Sequence, residues 1–148
     1  MTDHAHDISI LNGLIEAMLD SCDGYREAAE QAKNVMMAEL FRHWATQRRQ
    51  VTRELRETVR ALGGEPQEDG TVLASAHRVF LDLRAHMSRT NMSVVQEVER
   101  GEDHIKHKFE RALMDRKIGV VARLAVQSAY VSVKSGHDDM RNLKRSYD

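Results

Sequence analysis

The chain is poor in the residues that make turns: 8 glycines and 1 proline among 148 residues, about half the share of an average protein. All-β architectures, which need many tight turns, are excluded on that ground. A single cysteine, Cys22, cannot form an intramolecular disulfide. No apolar stretch approaches the roughly 18 uninterrupted residues of a membrane-spanning helix, and the N-terminus lacks the basic-then-apolar run of a signal peptide. A cytoplasmic protein with no membrane contact is expected. Neither sign of charge dominates, with 22 basic against 23 acidic residues and a net charge of -1, so nothing marks a charged tail or an extended nucleic-acid footprint. What is present is 41% hydrophobic residues, enough to bury one core and to exclude disorder. One domain over residues 1–148, with its core at about 8–145, accounts for the chain.

The apolar residues recur at steps of three and four, the period of a bundle helix. Ile8, Leu11, Ile15, Met18, Cys22, Tyr25, Ala29 and Ala32 form a first seam, interrupted at Lys33 and Asn34. Met37, Phe41, Trp44, Val51, Leu55 and Leu62 form a second, ending at Gly63-Gly64, which suits a left-handed C-terminal cap. After the turn-rich Glu65–Gly70 stretch, Thr71 is placed to cap a shorter third helix with the stripe Leu73, Ala76, Phe80, Leu83 and Met87. Ser93 with Gln96 has capping-box spacing, with Asn91 as the competing cap, for a fourth helix running through Val95, Val98, Glu102, Ile105, Phe109 and Ala112. A fifth opens after Asp115–Lys117 through Ile118, Val121, Leu124, Ser128 and Val131, and reaches about Lys144. A short third helix that carries the chain back along the bundle makes the second and fourth helices parallel, the connection of ferritin-like bundles; a plain up-and-down bundle with an appended helix is the alternative.

Several stretches add a resemblance. Leu11-Asn12 with Ile15-Glu16, Gly24–Glu30, Leu62–Pro66, His77-Arg78, Glu99–Asp103 and His137-Asp138 with Arg141 resemble a bacterial family of small four-helix-bundle proteins of unknown function, within the rubrerythrin and ferritin-like superfamily. The resemblance spans about residues 8 to 145, and Gly63-Gly64-Glu65-Pro66 and Arg100-Gly101-Glu102-Asp103 are its more specific parts. It implies an all-α, ferritin-like four-helix bundle with a short crossover helix, and no particular activity. Phe109 stands where that family leads one to expect a tyrosine, which removes any role for a hydroxyl there.

Ferritin-like di-iron sites combine a Glu on two helices with Glu-x-x-His on the other two. Three residues before His43, His77, His86, His104, His107 and His137 stand Leu40, Ala74, Leu83, Gly101, His104 and Lys134, none a carboxylate. The standard site is absent by spacing, and no cofactor is expected. Nonstandard iron or zinc ligands are still available. Glu102 lies on the fourth seam, level with Gln47, Arg48 and Gln127, where a pairing with Arg48 or Gln127 competes with metal ligation. His77 lies level with Glu54 and Glu57, and His137 with Glu27 and Glu30; in each case a histidine–carboxylate hydrogen bond competes with a metal. Asp103, His104 and His107 share an exposed helix edge. With Met1 removed, His4 becomes the third residue, and its imidazole with the terminal amine and two amides suits planar Cu(II) or Ni(II).

Catalytic signals are few. Cys22 sits on a core seam, where a thiol is a small hydrophobe. No glycine-rich phosphate loop occurs, and Gly13, Gly24, Gly101, Gly119 and Gly136 read as places where backbones approach closely. The second helix carries Arg42, Arg48, Arg49, Arg53, Arg56 and Arg60 against three glutamates, a basic face with few aromatics beside it, so nucleic-acid binding is not expected. A second apolar stripe on the fifth helix, Val126, Tyr130, Val133 and Met140, is to be covered by the crossover helix or by another subunit, and a homodimer interface is the favoured reading. The sequence therefore leads to a non-catalytic structural or interaction module, with a divergent di-metal carboxylate oxidoreductase or metal-storage protein as the alternative.

Overall fold

The computed structural model describes residues 4–70 and 90–146. Within them the chain is all-helical, with four helices and no strand: α1 (Ala5–Gln31), α2 (Val35–Ala61), α3 (Asn91–Met114) and α4 (Val120–Arg145). These are the first, second, fourth and fifth seams of the sequence. The third, from Thr71 to Met87 with His77, lies outside the described residues.

Local chemistry sets the ends. Asn34, in extended backbone, accepts a hydrogen bond from Met37 N at 3.1 Å and caps α2. Gly63 closes the other end of that helix at φ +86, the left-handed conformation its paired glycines suggested. The cap of α3 is Thr90, three residues before the expected box: its hydroxyl accepts from Ser93 N at 3.1 Å. Asn91, the other candidate, instead accepts from Lys33 N and ties α3 to the α1–α2 turn.

Cross-helix contacts fix the directions. Tyr25 meets Glu102 and Gly13 meets Lys108, so α1 and α3 are antiparallel. Trp44 meets Asp139, and Arg48 lies against Gly136, so α2 and α4 are antiparallel as well. Short turns reverse the chain within each of the pairs α1–α2 and α3–α4, so α2 and α3 run in the same direction, as the short-crossover arrangement required. No helix among the described residues is long and apolar enough to cross a membrane.

The core falls into two apolar clusters along the bundle. One takes Leu11 to Met18 of α1, Val51 to Val59 of α2, Ile105 to Ala112 of α3 and Ile118 to Val133 in and before α4. The other takes Cys22 to Ala29, Met37 to Ala45, Val94 with Val95, and Met140. The level between them is occupied by Arg48, Glu102 and Gly136, all buried.

One seam differs from its expected course. On α4 the buried residues are Ala122, Val126, Ala129, Val133, Gly136, His137 and Met140, while Val121, Leu124 and Val131 are 53 to 71% exposed. The stripe assigned to a dimer interface is thus the core face, and Val126, Val133 and Met140 are fully buried. Tyr130 lies at its edge and donates to Glu110 at 2.7 Å. The physical reason is size: steps of four and three from 122 to 140 make a regular seam, but Ala122, Ala129 and Gly136 are too small to announce it.

Candidate functional site

The second seam has an apparent step of seven from Trp44 to Val51, and Arg48 divides it at the bundle spacing. Its side chain is 0% exposed and its Nη2 donates to Glu102 Oε2 at 2.7 Å. From α1, the Tyr25 hydroxyl donates to Glu102 Oε1 at 2.8 Å. Both carboxylate oxygens therefore have a donor. The guanidinium carbon lies 5.8 Å from the Tyr25 ring centroid and 5.6 Å from that of Trp44, within cation–π range. Nη1 points to Met18 Sδ at 3.9 Å, and Nε has no hydrogen-bond partner. A Cβ at position 136 would run into Nη2, so glycine there is what lets the guanidinium lie across α4. Burial, and next the charge of Glu102, push the Tyr25 phenol well above its ordinary value.

A second set of polar contacts sits on the side of this layer formed by α4. Trp44 Nε1 donates to Asp139 at 2.9 Å, and His137 Nε2 meets Asp103 at 2.6 Å. The acid partner of His137 is thus Asp103, where the sequence pointed to Glu27 or Glu30. Its Nδ1 is buried without a hydrogen bond, with Asp138 Oδ1 3.7 Å away.

On the opposite side a cavity of about 470 Å³ opens between α1 and α3. Ala17, Tyr25, Val98 and Ile105 line it together with Glu102, the most deeply buried of its polar residues, and Asp20, Ser21, Glu97, Arg100, His104 and Lys108 complete the lining. Gly24 and Gly101 face it from the two helices. Neither is a close backbone approach among the described residues, none of which would lie within 4 Å of a Cβ at either, and the same holds for Gly13. At Gly119 and Gly136 a Cβ would meet side chains, Asp7 at the first and Arg48 at the second, where the sequence led one to expect a neighbouring backbone.

The other sequence candidates are dispersed. Glu54 is exposed and accepts from Gln50 at 3.3 Å; His4 stands at the N-cap of α1, with residues 1–3 outside the described residues. His104 and His107 are exposed, and Asp103 beside them is engaged by His137. Among the described residues no three His, Cys, Asp or Glu side chains converge as a metal-ligand set. Cys22 is buried, donates to Ala45 O at 3.3 Å and has its thiol pushed up in pKa chiefly by burial, the environment of an unreactive thiol. Arg48 leaves the basic face of α2 altogether. Sequence reasoning named the Arg48–Glu102 pair among its options but missed Tyr25 as its third member, because a tyrosine on a seam carries no sign of where its hydroxyl points.

These features define a helical bundle whose core is divided by a buried Arg–Glu–Tyr layer. The model of the family described as a domain of unknown function (DUF2383) matches residues 6–115, and the chain belongs to that family. No curated protein matches the chain.

Proposed function

We propose that the protein is a non-catalytic, ferritin-like four-helix bundle of the bacterial cytoplasm that acts as a structural or interaction module and self-associates as a homodimer. The observation that carries the non-catalytic part is the state of Glu102. The one carboxylate in the central layer has an arginine on one oxygen and a tyrosine hydroxyl on the other, so the position where a metal centre would stand is held by a guanidinium. A metal would have to displace Arg48 and leave its charge buried, which costs several kcal/mol. Support for association comes from Val120, Val121, Leu124 and Val131, a run of large apolar residues 53 to 75% exposed on one helix.

Elemental analysis of protein purified without chelator is expected to give less than one equivalent of iron or zinc per chain. Two equivalents, lost in Glu102→Gln, would establish the di-metal alternative instead. In sedimentation the wild type is expected as a dimer and Leu124→Glu as a helical monomer; a monomeric wild type removes the self-association.

A further inference from the structure

We propose that the cavity between α1 and α3 is a binding site for a small neutral aromatic molecule of one or two rings, carrying a single O–H or N–H donor that it presents to Glu102. The inference goes beyond the function proposed above and uses neither the metal content nor the exposed face of α4.

The cavity, about 470 Å³, lies in the size range of small-molecule sites and at its lower end, which matches one or two rings. It has the build of such a site, with the apolar Ala17, Val98 and Ile105 beside one buried polar pair, Tyr25 and Glu102. Its volume is not the by-product of tight backbone packing. Gly24 and Gly101 weaken the two helices that flank it, yet a methyl group at either position would meet none of the described residues within 4 Å. Gly136 shows the contrast, since there a methyl would strike Arg48.

The buried polar pair selects the ligand's chemistry. Each Glu102 oxygen already accepts one hydrogen bond, from Arg48 or from Tyr25, and a carboxylate oxygen has a further lone pair. The Tyr25 proton is committed to Glu102, so its own oxygen also has only acceptor capacity left for a visitor. A ligand that pairs with Glu102 or Tyr25 must therefore bring a donor. Around the cavity Asp20 and Glu97 balance Arg100 and Lys108, with Arg100 paired to Glu97 at 3.1 Å. No net charge of either sign draws in an ion, and the Glu102 charge is already neutralised by Arg48. A neutral ring with one donor fits both conditions.

The test titrates the full chain with phenol, indole and toluene, following backbone amide NMR shifts. Phenol and indole are expected to bind saturably and to move the amides of Gly24, Gly101 and Glu102, with toluene about tenfold weaker for want of the donor. Gly101→Leu is expected to stay folded and to lose the response, and Gly24→Met serves the same purpose from the other helix. The proposal is overturned if neither donor-bearing probe saturates at millimolar concentration, if toluene binds as tightly as phenol, or if both filled variants retain full binding.

Discussion

Arg48 and Glu102 form the most exacting pair of residues in the chain, because neither can be removed without stranding the other. Glu102→Ala leaves a guanidinium that is 0% exposed without its counter-ion and a buried tyrosine hydroxyl without an acceptor. Breaking a buried pair in this way costs about 3–5 kcal/mol. Glu102→Gln keeps one of the two acceptor oxygens and is expected to cost clearly less, whereas Arg48→Met combined with Glu102→Leu and Tyr25→Phe should recover most of the loss by making the layer apolar. Urea midpoints check the order, and equal midpoints for the alanine and glutamine variants would mean that the carboxylate is solvated. Much of this pairing was legible beforehand, since helical rise alone put residues 48 and 102 on one level. The third partner was not, because a hydroxyl's direction depends on packing that periodicity does not describe.

At the scale of the helices, glycine distinguishes places of contact from places of vacancy. Gly13→Ala meets none of the described residues and should stabilise the protein by up to about 1 kcal/mol through helix propensity alone. Gly136→Ala enjoys the same propensity gain but pushes its methyl against an Arg48 that cannot swing aside, held by Glu102 and flanked by the Tyr25 and Trp44 rings. A lower thermal midpoint is expected for Gly136→Ala and a higher one for Gly13→Ala; the same shift in both would remove Gly136 from the account of how Arg48 is seated. The sequence treated these glycines alike because a helical glycine looks the same whether a neighbour presses on it or not. The same blindness to small residues inverted α4. Its inward seam contains Ala122, Ala129 and Gly136, while Val121, Leu124 and Val131, more conspicuous by size, face outward. The seams of α1, α2 and α3, built from large side chains, were by contrast read correctly in the main.

For the molecule as a whole, the buried and half-buried acids that stay protonated make stability fall at high pH. Burial, and then its bond to Glu110, push Tyr130 up to about 12. Tyr25 is raised well above its ordinary value by burial and the Glu102 charge, and burial raises the Cys22 thiol in the same direction. All three are neutral acids that hold their protons more tightly in the folded state than in the unfolded chain, where tyrosine titrates near 10. Below that pH the two tyrosines are protonated in both states and their contribution is complete, while the share of Cys22, whose ordinary value is 9.0, begins to fall sooner. As pH rises beyond it the unfolded chain gives up protons first, which favours unfolding, and the loss grows until the folded groups also titrate. The urea midpoint is therefore expected to fall steeply above about pH 10. Tyr130→Phe should make that decline shallower, since it removes one of the linked protons without emptying the α4 edge of its ring. Absorbance of phenolate gives an independent view, because Tyr25 and Tyr130 should ionise only together with the loss of helix. Phenolate appearing for both while the circular dichroism is still native would show that neither hydroxyl is held as Glu102 and Glu110 hold it here.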